Sequence, residues 1–431
     1  MKRLVLGLLV ALVALAAAPA PAPAATTTTT TPYIVTLRDT ADVDAAISDL
    51  RARWNVIAKL RYKTALRGFS ARLSSSQVSA LRADSRVAFL EQDRTFTATG
   101  LTALSAGETV PPGIRRIGAA TTTQAHVPAN SAVAVLDTGI DLANADLNAV
   151  SGTNCITPGT VAKDDNGHGT HVAGVIAARN SGATVTGVAP GTKVYAVKVL
   201  NSKKTGTLSQ TICGIDWIAA NAGALGIKVI NMSFSGSGVN DNNCGISNGD
   251  SEHKAICSLV NNKGVTVVAS AGNNGRAISG YIPAVYPEVL TVSAMTDTDG
   301  RSGGLGAAPS CKTGEKDDSY GTYSNYAGNA SEQSHMVAAP GTCIVSDKIG
   351  GGTATYVGTS QAAPHVAGTV ALCLGNGGVP GPCAGLTPSQ IVAKIRSDAQ
   401  AAATLTAGFA GDPFRPLSGK YFGYLATAAG Y

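Results

Sequence analysis

Val133-Ala134-Val135-Leu136-Asp137-Thr138-Gly139 is a run of apolar side chains that stops at a charge and a turn. An unbroken apolar stretch of this length suits a strand buried on both faces, as in a parallel sheet. The acid that closes it needs partners, because a lone charge after a buried strand is costly. Reading outward, Val194 to Leu200 is another such strand and Leu208 to Ala222 carries a helical pattern. Val229 to Met232 and Val265 to Ala269 are two further apolar strands. Alternating strands and helices predict an α/β fold, a doubly wound parallel sheet with helices on both faces. In such sheets ligands gather at the carboxyl ends of the strands, where Asp137, Ser233 and Asn273 fall. No internal period of roughly 20–50 residues repeats, which argues against a solenoid.

Upstream lies a different organisation. Met1-Lys2-Arg3, the apolar run Leu4 to Ala18 and the small residues Ala22-Pro23-Ala24 predict a signal peptide over 1–24 and a secreted, extracellular protein. The run is shorter than the ~20 residues a membrane span requires, and no later stretch supplies one. Residues 25–32 are a Thr-rich linker. Residues 33–98 read as strand, helix, two strands, helix, strand: a small α+β domain preceding the large one. Residues 99–110 are small and polar, a stretch suited to proteolytic nicking, and 111–431 form the main domain.

The formal charge of +6 does not point to nucleic acid. Residues 1–32 carry +2 and residues 33–98 carry +4, while 99–431 balance twenty basic against twenty acidic residues. The excess therefore sits outside the main domain, and neither a nucleic-acid partner nor a membrane is expected. The expected form is a monomer. Eight cysteines in an exported chain favour disulfides over zinc, since no CxxC pair occurs. Sequence alone leaves their connectivity open. Proximity favours Cys244–Cys257 and Cys373–Cys383, with Cys155–Cys213 and Cys311–Cys343 as the remaining pairs.

An alcohol becomes a nucleophile when an imidazole takes its proton and a carboxylate holds that imidazole in the correct tautomer. Asp137 is a candidate carboxylate, although an Asp at a strand end is often only a turn former. His168 sits in Asp165-Asn166-Gly167-His168-Gly169-Thr170-His171-Val172-Ala173-Gly174. Two histidines three apart suggest metal, but no Glu follows the first, so the HExxH arrangement is absent. His171 reads as structural. Ser360 lies in Gly358-Thr359-Ser360-Gln361-Ala362-Ala363-Pro364-His365, where a loop enters an apolar helix. An isolated serine there would be a helix cap.

Together, Asp-Thr-Gly, His-Gly-Thr-His-Val-Ala-Gly and Gly-Thr-Ser-Gln-Ala-Ala-Pro-His resemble the three signatures of the subtilisin family (subtilases) from about Pro111 to Lys394. The order Asp, His, Ser is the one known from subtilisin. The resemblance implies a subtilisin-like peptidase domain and a serine endopeptidase using Asp137, His168 and Ser360, acting on proteins and peptides without a catalytic cofactor. Val267 to Gly275 is similar to the oxyanion-hole segment and gives Asn273 the donor role, with the Ser360 N–H as the second donor. Ser233, Phe234, Ser235 and Gly236 are similar to one wall of the P1 pocket, and Ala271 and Gly272 to the other. Thr205 and Gly206, after Lys204, match the edge that pairs with extended substrate. Ser235 replaces a glycine usual in the family and narrows the expected entrance. Asn274 is not acidic, so broad specificity with an apolar P1 preference is expected.

Asp146 matches a calcium-ligand position of the family, although Ser181 stands where a ligating Asn is usual. Segment 33–98 resembles the family's inhibitory propeptide, which implies an autoprocessed zymogen cut between Phe96 and Gly107, its own propeptide acting as intramolecular inhibitor and folding aid. The alternative, a catalytically inactive subtilase-like binding protein, calls for a missing group, and all four are present. An acid-acting relative with Glu in place of His does not fit the complete motif around His168.

Overall fold

A computed structural model describes residues 29–63, 66–93, 101–182, 184–405 and 408–431. The expected signal peptide, residues 25–28 of the linker and residues 99–100 of the processing stretch lie outside them. The chain divides into two compact units, Met1–Phe96 and Thr97–Tyr431.

In the first unit the elements are β1 (Thr31–Leu37), α1 (Val43–Trp54), β2 (Ala58–Tyr62), β3 (Gly68–Leu73), α2 (Ser75–Arg82) and β4 (Val87–Gln92). They form an antiparallel sheet of order β2-β3-β1-β4. Val35, Leu37, Phe69 and Leu73 meet Ile47, Leu50 and Leu81 of the helices in a small core. Helix α1 starts at Val43 rather than at the expected Ala41 because Asp42 caps it, accepting the Ala45 N–H. Helix α2 carries a Ser74/Gln77 capping box. The expected β-α-β-β-α-β order is present.

The second unit holds β5 (Ala132–Asp137), β6 (Asn148–Asn154), α3 (His168–Ala177), β7 (Lys193–Lys198), α4 (Leu208–Leu225), β8 (Ile227–Met232), α5 (Ser251–Lys263), β9 (Thr266–Ser270), β10 (Val289–Thr296), β11 (Ser319–Tyr320), β12 (Met336–Pro340), α6 (Thr359–Leu374) and α7 (Pro388–Leu405). The strands run β6-β7-β5-β8-β9-β10, with β12 also paired to β10. All of these pairings are parallel, and β11 adds antiparallel to β10. The α/β, doubly wound fold expected from the strand pattern is what forms.

Strand parity decides what each face buries. Val133 and Val135 of β5 pack with Val172 and Ile176 of α3, Val366 and Val370 of α6 and Ile391 of α7. Ala134 and Leu136 face the other way, against Ile215 and Ile218 of α4 and Ile256 and Leu259 of α5. Asp137 continues the odd series, so its side chain belongs on the α3/α6 face. From β5 the chain runs out to β6, returns through β7 on one side of β5, and then crosses to β8 on the other. That switch point opens a crevice at the carboxyl ends of these strands.

Two expectations about element ends need correction. Val199 and Leu200 do not extend β7: the partner strand β5 ends at Asp137, and the two N–H groups share its single carbonyl, at 2.9 and 3.1 Å. The stretch read as flexible is held by the second unit from Thr102 onward. Thr102–Ala103 pairs with Gln124–Ala125, and Asn180 Oδ1 accepts the Ser105 N–H. Four disulfides join Cys155–Cys213, Cys244–Cys257, Cys311–Cys343 and Cys373–Cys383. The C-terminal residues Phe409, Phe422 and Leu425 pack into a cluster with Ile114, Ile117 and Leu372.

Candidate active site

Asp137 is fully buried at the end of β5. Its Oδ1 accepts the Thr138 N–H at 2.7 Å, and both of its oxygens reach His168 Nδ1, at 2.8 and 2.9 Å. His168 opens helix α3, and the approach to Asp137 depends on its neighbours. A Cβ on Gly169 would lie 2.0 Å from the Gly139 carbonyl oxygen and 3.1 Å from Asp137 Cβ, so only glycine lets the helix come this close. Burial disfavours a charged ring, but the adjacent Asp137 carboxylate outweighs it and holds the His168 pKa above the ordinary value.

A second buried acid, which the sequence reading did not single out, braces this arrangement. Asp164 accepts from Thr138 Oγ1 and from the N–H groups of Asn166, Gly167 and Thr170, and also from Thr170 Oγ1. Thr138 Oγ1 in turn accepts the Gly169 N–H at 3.0 Å. Burial raises the pKa of such a group, yet these bonds together bring Asp164 below the usual carboxylate range. Lys198, buried at the end of β7, adds a tie by donating to the Thr138 carbonyl, to Asp165 Oδ1 and to the Leu200 carbonyl. The signal for these residues was faint: a doubled Asp ahead of Asn-Gly-His, and a lysine inside an apolar strand.

Ser360 stands in the first turn of α6. Pro364 lacks the N–H that would bond the Ser360 carbonyl, so that carbonyl is free of the helical ladder. The Ser233 hydroxyl fills the gap at 2.8 Å, while Ser360 Oγ donates to the Ser233 carbonyl at 2.9 Å. No hydrogen bond joins Ser360 Oγ to His168 in this arrangement, although both line one cavity of about 310 Å³ with Asn273 and Lys204. Asn273 Oδ1 accepts the Thr359 N–H at 2.8 Å and Thr359 Oγ1 at 3.0 Å. The backbone donor fixes which end of the amide is oxygen, and so leaves Nδ2 as the free donor end.

Ser233 is buried under α6, whereas Thr205, Gly206, Phe234, Ser235 and Gly236 line a neighbouring cavity of about 400 Å³. Ala271 and Gly272 follow β9, and Thr359 Oγ1 accepts the Gly272 N–H. A Cβ on Gly272 would stand 3.6 Å from Ser235 Oγ, so the two expected walls of the P1 pocket face each other at that point. His171 is engaged elsewhere: its Nε2 meets the Ile344 carbonyl at 3.0 Å, and its ring stacks on Tyr356, a residue that lines the cavity. Burial lowers its pKa to about 4. A larger cavity of about 710 Å³ lies by Ser131, Gly226 and Gly264, near the amino ends of β5, β8 and β9.

Asp146 is buried apart from this crevice, its Oδ1 accepting from Ser181 Oγ at 2.8 Å and its Oδ2 from Thr184 Oγ1 at 2.7 Å. Thr184 also reaches Asp347 Oδ1 at 3.3 Å, while Asp347 Oδ2 is buried without a partner among the described residues. An orphaned carboxylate oxygen beside a second carboxylate, among oxygen donors only, fits calcium in kind.

Residues 129–413 match the model of the subtilase family, and residues 32–99 match that of the peptidase inhibitor I9. Subtilisin E of Bacillus subtilis is 35% identical over 311 residues, covering 71% of this chain and 70% of that protein. Subtilisin of Bacillus pumilus is 37% identical over 273 residues, covering 62% and 85%. A solved cold-adapted subtilisin-like serine proteinase matches with a TM-score of 0.52 at 27% identity, over 74% of this chain and 97% of that one. The chain belongs to the subtilase family and is a serine endopeptidase of subtilisin type, preceded by an inhibitor I9 propeptide domain.

Proposed function

We propose that this chain is made as a secreted zymogen in which Asp137, His168 and Ser360 hydrolyse peptide bonds through an acyl-enzyme and Asn273 stabilises the oxyanion. The observation that carries the reading is the two-oxygen grip of Asp137 on His168 Nδ1, with Ser360 and Asn273 lining the same cavity as the ring. Asp137 keeps the proton on Nδ1 and leaves Nε2 to act as base. Rotation about the Ser360 Cα–Cβ bond takes Oγ off the Ser233 carbonyl, consistent with catalytic hydrogen bonds that tighten only when substrate binds.

Nε2 then removes the hydroxyl proton as Oγ attacks the carbonyl carbon. The resulting oxyanion receives Asn273 Nδ2–H and the Ser360 N–H, which lies in the first helical turn without an intrahelical acceptor. The C–N bond breaks, the leaving amine takes the proton from His168, and water repeats the sequence to release the acid. Thr205 and Gly206 pair with the substrate backbone, while Ser233 to Gly236 and Ala271-Gly272 border P1.

Residues 33–98 act as an intramolecular inhibitor and folding aid, removed by the enzyme itself. Residues from Thr102 onward hydrogen-bond within the second unit, so the cut falls ahead of them. Residues 1–24 are the export signal, and the mature enzyme works outside the cell as a monomer on protein and peptide substrates. No helix among the described residues is long and apolar enough to cross a membrane. Asp146, with Asp347, would hold a structural calcium ion that takes no part in the chemistry.

A serine-directed phosphonylating reagent followed by peptide mapping tests the reading directly. Modification is expected on Ser360, and Ser360→Ala should retain residues 33–98 when purified alone. Labelling elsewhere, or maturation of that variant, would falsify it.

A further inference from the structure

The cavity beside the candidate catalytic residues has apolar sides and an acid among its lining residues. Leu200, Leu208, Phe234 and Ile282 contribute to its walls, Lys204 lines both cavities, and Glu252 completes the lining. Glu252 is only 4% exposed, and its carboxylate makes no hydrogen bond or ion pair among the described residues. Its neighbours cannot relieve it. Asp250 is itself an acid, one oxygen capping the Glu252 and His253 N–H groups and the other accepting from Tyr286. Lys204 is exposed, so its ammonium stays with water. A desolvated carboxylate without a partner is costly in a folded protein, and the cavity that Glu252 lines is open to a cation. Burial, and then the charge of Asp250, push the Glu252 pKa up to about 7. The start of helix α5 works the other way and favours the ionised form.

Lysine and arginine combine an alkyl stem with a cationic head, which matches apolar walls with an acid among them. We propose that this pocket receives a lysine or arginine side chain from the acyl half of the bound peptide, its stem against Leu200, Phe234 and Ile282 and its cation on the Glu252 carboxylate. The proposal rests on the peptidase reading, because Thr205, Gly206, Ser235 and Gly236, which that reading places along the substrate, line the same pocket. It adds a charged preference upstream of P1 to an enzyme otherwise expected to favour apolar residues.

The test uses the mature enzyme at pH 9 and matched peptides carrying lysine or its uncharged counterpart norleucine at P2, P3 or P4. At one of these positions lysine should raise kcat/KM by roughly 10- to 100-fold over norleucine, the range of one charge-assisted contact in a desolvated site. Glu252→Gln should bring that ratio to near one. A ratio near one at all three positions in the wild-type enzyme overturns the proposal, whether or not the variant folds. So does a lysine preference that survives Glu252→Gln. Cleavage of no peptide, with Ser360 unreactive toward the phosphonylating reagent, overturns the peptidase reading and the pocket with it.

Discussion

Ser360 and Ser233 exchange hydrogen bonds: the hydroxyl of each donates to the carbonyl of the other, at 2.9 and 2.8 Å. Asn231 Nδ2 donates to the Ser233 hydroxyl at 2.8 Å, so the start of α6 is tied to the end of β8 through buried groups. Ser233→Ala removes one hydroxyl and leaves the Ser360 carbonyl and the Asn231 amide without it. The expected loss of stability is about 1–3 kcal/mol, read as a lower denaturant midpoint at unchanged slope. An unaltered midpoint would mean that the pair does not anchor the helix.

The acidic limb of the pH–activity profile should reflect His168. In the proposed mechanism the neutral ring is the base, so kcat/KM should fall as pH drops through its pKa, which the Asp137 carboxylate holds above the ordinary value despite burial. Asp137→Asn should move that limb to lower pH and reduce kcat by roughly ten-thousand-fold, the size of loss known for this position in related triads. A limb that stays in place would detach it from His168.

Asn273→Ala should lower kcat by roughly 100- to 1,000-fold with little change in KM, because in the proposed mechanism its amide meets charge only in the transition state. That magnitude is known from subtilisin's own oxyanion asparagine. A KM effect with kcat intact would instead place Asn273 in ground-state binding.

Asp164→Asn should cost about 2–3 kcal/mol at neutral pH, since the ionised acid accepts five hydrogen bonds that a neutral amide matches poorly. Its folded pKa lies below the ordinary carboxylate value, so this stability is present above that value and is lost as pH falls through the folded one. Unfolding of the phosphonylated enzyme should therefore separate variant from wild type clearly at pH 7 and much less at pH 2. Equal separation at both would rule out the ionised form as the source.

Added calcium should raise the melting temperature of the phosphonylated enzyme, and a chelator should reverse the gain. Asp146→Ala should abolish the response while the wild type keeps it. Indifference of the wild type to both would remove Asp146 from the metal-ligand role.

Much of the fold was legible along the chain because it is written in local pattern. The apolar runs around Val135, Ile230 and Val268 mark strands buried on both faces, and the helical spacing from Leu208 marks the crossover beside them. Asp137 and Ser233 were placed at strand ends by the same pattern, and Ser360 at a helix start by the apolar residues that follow it. The failures were equally local in origin. Val199 and Leu200 look like strand, but the neighbouring strand ends at Asp137 and both of their N–H groups share its one carbonyl.

What the linear chain could not express is which groups meet. Asp164 and Lys198 are ordinary residues until strands β5 and β7 and the start of α3 converge, when their charges become the ties that hold the turn after Asp137. The bonds of Ser360 to Ser233, rather than to His168, depend on α6 and β8 lying together across more than a hundred residues. Nothing in the sequence singled out Glu252, and only tertiary packing buries it beside a cavity without a partner among the described residues. Periodicity belongs to neighbours along the chain, so it can be read one residue at a time. Charge pairing and desolvation belong to neighbours in space, and exist only once the strands have been brought side by side.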